Sequence, residues 1–90
     1  METNTTPPRA LVLAMIELRR DCSATIGNLS GVIRQAEPAY KEPIVGATIQ
    51  HACGVISEIR IAMDRDRDAM KEAIRRAALA ETMLKAAMRS

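Results

Sequence analysis

Seam positions recur along the first third of the chain in alternating steps of four and three: Leu11, Met15, Leu18, Cys22, Thr25, Leu29, Val32 and Ala36. Val12, Ile26 and Ile33 widen the stripe on one side. A period between three and four residues is that of an amphipathic helix, and it predicts one over about residues 8–36. Thr6 offers a capping hydroxyl, and Pro7 and Pro8 stand where no amide hydrogen is needed. The helix ends at Glu37, because a residue before proline avoids the helical backbone. Residues 27–31, with Gly27, Asn28, Ser30 and Gly31, are turn-like, and each glycine costs about 1 kcal/mol against alanine. The apolar phase survives across them, so the helix is read as soft but continuous.

Pro38 and Pro43 bracket a short connection, with a loop at 38–42. So short a link makes the helices on either side antiparallel neighbours. Beyond Pro43 the same stepping runs through Val45, Ile49, Ala52, Ile56, Ile59, Met63, Asp66, Met70, Ala73, Ala77, Ala80, Leu84 and Ala87. Sustained stepping of this kind is a coiled-coil signature, and it predicts one helix over about 43–88. Asp64, Asp66 and Asp68 suggest an alternative, a three-helix bundle broken near 64–68, since aspartate is a poor interior helix residue and a good cap. The unbroken heptad phase favours the single helix. The expectation is therefore all-α: a polar disordered tail at 1–6, then one helical domain over 7–90 built as an antiparallel hairpin with a long second helix.

The two arms are unequal, about 43 Å against about 66 Å at the helical rise. The first would cover the second only to around residue 71. The stripe beyond it needs a second copy, another protein or a fold-back at 64–68. A two-fold dimer is the simplest cover, since such dimers are the commonest oligomers, and two hairpins would make a four-helix bundle. Its expected interface is Ile59, Met63, Asp66, Met70, Ala73, Ile74, Ala77, Met83 and Leu84, with Asp66 as a polar register marker. Ser23, Gly27 and Gly31, four apart, form a small ridge suited to a close helix crossing.

Composition supports helix over sheet. Among 90 residues there is one Tyr and no Phe or Trp, while Met (6) and abundant Ala take the place of rings. The net charge is +2, all of it arising after residue 42 and interleaved with acids, too small to imply nucleic acid by itself. The longest apolar run, residues 10–16, falls far short of the ~20 residues of a membrane span. No signal sequence is visible, and Cys22 and Cys53 make no disulfide framework. A cytoplasmic protein with reduced, packed thiols is expected.

Chemistry finds little purchase. His51 and Cys53, two apart on a helix, diverge and lack further ligands, so no metal or other cofactor is expected. There is no Glu-x-x-His pair, no phosphate-cradling glycine loop and no nucleophile with an evident base, so the chain is not expected to be an enzyme. Arg60, Arg67, Lys71 and Arg75 fall at near-helical spacing and could meet phosphates, although acids punctuate the strip. Tyr40 and Lys41, on a stiff loop with Arg34 nearby in sequence, could stack a base and hold a phosphate.

The expected function is non-enzymatic: an oligomeric helical protein that binds itself and another protein, as an adaptor or as a small inhibitor or accessory factor of the kind mobile elements encode. The alternative is a nucleic-acid- or nucleotide-binding helical protein using the basic residues or the Tyr40–Lys41 loop. No membrane association is expected.

Overall fold

A computed structural model describes residues 9–89. The tail at 1–6 and the Thr6 cap lie outside the described residues. Three helices and one short 3-10 turn account for nearly all of the rest: α1 (Arg9–Ala36), the turn Glu37–Ala39, α2 (Pro43–Met63) and α3 (Arg67–Arg89). The described chain is all-α and holds no strand.

Helix α1 is continuous through Gly27 and Gly31, neither of which takes a positive φ. The expected close crossing at these glycines is not formed. A β-carbon built on either would meet no atom within 4 Å. At Glu37 and Pro38 the chain tightens into the 3-10 turn, where the Tyr40 amide donates to the Glu37 carbonyl (3.0 Å) and the Glu42 amide to Ala39 (3.0 Å). Glu42 is extended, Pro43 opens α2, and the Gly46 amide closes the first turn onto the Glu42 carbonyl at 2.8 Å.

The long second helix is not formed: α2 stops at Met63 and the chain folds back. The Asp64 amide donates to Ile61 (3.1 Å) and the Arg65 amide to Ala62 (3.0 Å), which tightens the last turn of α2. Asp66 then caps α3, its Oδ1 accepting the Ala69 amide at 2.8 Å. An aspartate in that role stabilises a helix start by about 1 kcal/mol. The heptad phase persists across the break for a simple reason. Each helix needs the four-three stepping for its own packing, and a three-residue turn carries Met63 to Met70 in step with it.

Each helix packs on both others. The core takes Leu29, Val32 and Ile33 from α1, and Val45, Ile49, Val55, Ile56 and Ile59 from α2. Met70 and Leu84 of α3 join them, flanked by Ala73, Ala77, Ala80 and Ala87. Those alanines let α3 approach closely, so few large side chains fill the interior. Thr48, the one buried polar residue among those described, is satisfied by the Ile44 carbonyl at 2.6 Å.

Candidate interaction surface

Unequal helix lengths create the site. At 1.5 Å per residue, α1 with 28 residues is about 42 Å long and α2 with 21 is about 32 Å. The α1–α2 connection sets Ala36 beside the start of α2, so α1 outreaches its neighbour at the opposite end by roughly two turns. The α2–α3 turn confirms the register: Arg65, Asp66 and Arg67 line a cavity with Leu11, Val12 and Met15. Residues 9–16 therefore stand at or beyond the edge of the three-helix core.

Beyond Arg9 this overhang, residues 10–16, is apolar on every side. Leu11 is 38% exposed, Val12 42%, Leu13 52% and Ile16 46%. Met15 and Leu18 lean partly onto the core. A helix apolar all round is normally buried; here the surrounding protein supplies cover on one side only. Leu13 and Ile16 lie off the heptad seam, which is why seam spacing alone misses them. The uninterrupted apolar run at 10–16 is the signal that locates them.

The residues expected at an oligomer interface are mostly used within the chain. Ile59, Met70, Ala73, Ala77 and Leu84 are buried, and Met63 and Ile74 pack against the core as partly buried neighbours. Asp66 is an exposed helix cap rather than a buried register marker. Met83 is the one apolar member of the set that is exposed. The fold-back has supplied the cover that a second copy was expected to give.

The basic residues do not form one strip. The break leaves Arg60 on α2, while Arg67, Lys71 and Arg75 follow on α3. Arg75 pairs with Glu72, and Arg76 reaches across from α3 to Glu58 of α2 at 2.9 Å. Glu58 and Arg76 rim a cavity of about 220 Å³ between α2 and α3, floored by Ala62, Ala69 and Ala73. Exposed pairs of this kind add about 0–1 kcal/mol each.

Tyr40 lies over the start of α2. Its hydroxyl accepts the Gln50 side-chain amide at 2.9 Å, and its carbonyl sits against Gly46. Lys41 and Arg34 are exposed, and no hydrogen bond or ion pair ties either to Tyr40 among the described residues. The ring is placed as a clasp on the helix connection.

Both thiols are free. Cys22 is buried, whereas Cys53, expected to pack, is exposed. Burial pushes the Cys22 thiol up, and the neighbouring Asp21 charge adds to the effect. Titration of the native protein with an aromatic disulfide reagent should therefore modify Cys53 rapidly and Cys22 only on unfolding. Rapid release of two equivalents from folded protein would contradict the burial of Cys22.

Among the described residues no group of three or more metal-ligating side chains converges. No described helix is long and apolar enough to cross a membrane. The chain matches no protein-family model, no curated protein and no solved structure.

Proposed function

We propose that this chain acts by binding protein and not by catalysis, with the overhanging part of α1 as its docking helix. The observation that carries this reading is the exposure of Leu11, Val12, Leu13 and Ile16 on two successive turns. Contiguous apolar surface of this kind is disfavoured on a monomer and marks interaction sites. A helix presenting large aliphatic side chains beyond its own bundle suits helix-in-groove or helix-on-helix recognition. An adaptor or a small inhibitor works through such a surface alone. The ion pairing of Arg75 and Arg76 weighs against the nucleic-acid alternative.

Affinity capture from the native host tests the reading, comparing the wild-type chain with a Leu13→Asp, Ile16→Asp variant. Both positions are exposed, so the variant should keep wild-type helicity. Partners retained by the wild type and lost by the variant are expected. An identical set captured by both baits would overturn the assignment of α1.

A further inference from the structure

The charges that close the apolar run of α1 are arranged to complement a copy of themselves. Arg9 stands before it and Glu17 after it, and Leu13 lies midway between the two. On a helix Arg9, Leu13, Ile16 and Glu17 fall on neighbouring positions of one side. That side faces away from the seam residues Leu11, Met15 and Leu18. All four are exposed, and among the described residues neither Arg9 nor Glu17 has an ion-pair partner.

We infer that the occupant of this surface is a second copy of the chain, whose α1 crosses antiparallel at Leu13 so that Arg9 of each copy meets Glu17 of the other. The inference rests on the reading of α1 as a docking helix and names its partner. A two-fold contact requires that residue i meet j and j meet i. Crossing at Leu13 satisfies this: the leucines meet, Ala10 faces Ile16, and both ends gain an opposite-charge pair. A shift that sets Leu13 against Ile16 of the other copy brings Arg9 against Arg20, like charges at both ends, so charge selects the first register. The contact is at the small end for specific association, so the dimer is expected to dissociate in the micromolar range.

Sedimentation equilibrium of the full chain, from micromolar to hundreds of micromolar, tests the pairing with Arg9→Glu, Glu17→Arg and the double reversal. Both positions are exposed, so folding is unaffected. Each single reversal replaces two attractions by two repulsions and should weaken the dimer by about tenfold, while the double reversal restores it. A dimer indifferent to the single reversals, or not rescued by the double one, overturns this pairing. A chain that stays monomeric throughout overturns self-association, and leaves the docking role of α1 to be decided by the capture experiment.

Discussion

Leu84→Ala is expected to destabilise the protein by about 2–5 kcal/mol, the range for deleting a buried leucine side chain beyond Cβ. Leu84 is fully buried, and its neighbours along α3 are alanines, Ala77, Ala80 and Ala87, which have no side-chain length with which to fill the cavity. For a domain of this size each kcal/mol lowers the melting temperature by roughly 4–8 °C. Thermal melts followed by circular dichroism should therefore show a drop of about 10 °C or more. The concentration dependence carries the structural content. Leu84 is enclosed within a single chain, so the difference between variant and wild type should stay constant as protein concentration changes. Were residues 43–88 one rod, Leu84 would be covered by a second copy, and the difference would vary with concentration. That outcome, or a loss below 1 kcal/mol, would refute the fold-back.

Gly46→Ala should have the second-largest effect, and its sign is the informative part. In a helix interior alanine is favoured over glycine by about 1 kcal/mol. A β-carbon on Gly46, however, would lie 2.6 Å from the Tyr40 carbonyl oxygen. That atom is backbone, held by the 3-10 turn and by the Tyr40 hydroxyl's contact with Gln50. Separating them strains the connection, with an expected net loss of about 1–3 kcal/mol. Gly27→Ala has open space around it and should instead stabilise by about 0.4–1 kcal/mol. Chemical denaturation of the two variants side by side checks the contrast. A stabilised Gly46→Ala would mean that the 38–42 connection does not press on α2.

Self-association and stability separate cleanly in these experiments. Leu84 and Gly46 report on packing inside one chain, whereas Arg9, Leu13, Ile16 and Glu17 lie on exposed surface. A variant that loses stability without losing the proposed α1 pairing, or the reverse, identifies which part of the molecule each residue serves.

The helical class, the continuity of α1 and the connection bracketed by Pro38 and Pro43 are all legible in the order of residues alone. Those features follow from local rules: seam periodicity, the exclusion of helix before proline, and a composition without rings. The unbroken heptad phase hides the break at Asp64–Asp66, and because its turn uses no positive φ, no glycine marks it either. Asp66 was the visible trace, a polar residue on an apolar seam, and its two readings as buried register marker or helix cap differ only in tertiary context. The surplus apolar surface was also legible, since helices of unequal length cannot cover one another completely. Which helix carries it depends on how the three helices pack together. Once α3 folds back, Ile59, Met70 and Leu84 are enclosed, and the uncovered length passes to the N-terminal turns of α1, where Leu13 and Ile16 have no neighbour to bury them. Periodicity states which residues seek cover; the path of the chain in space determines which of them receive it.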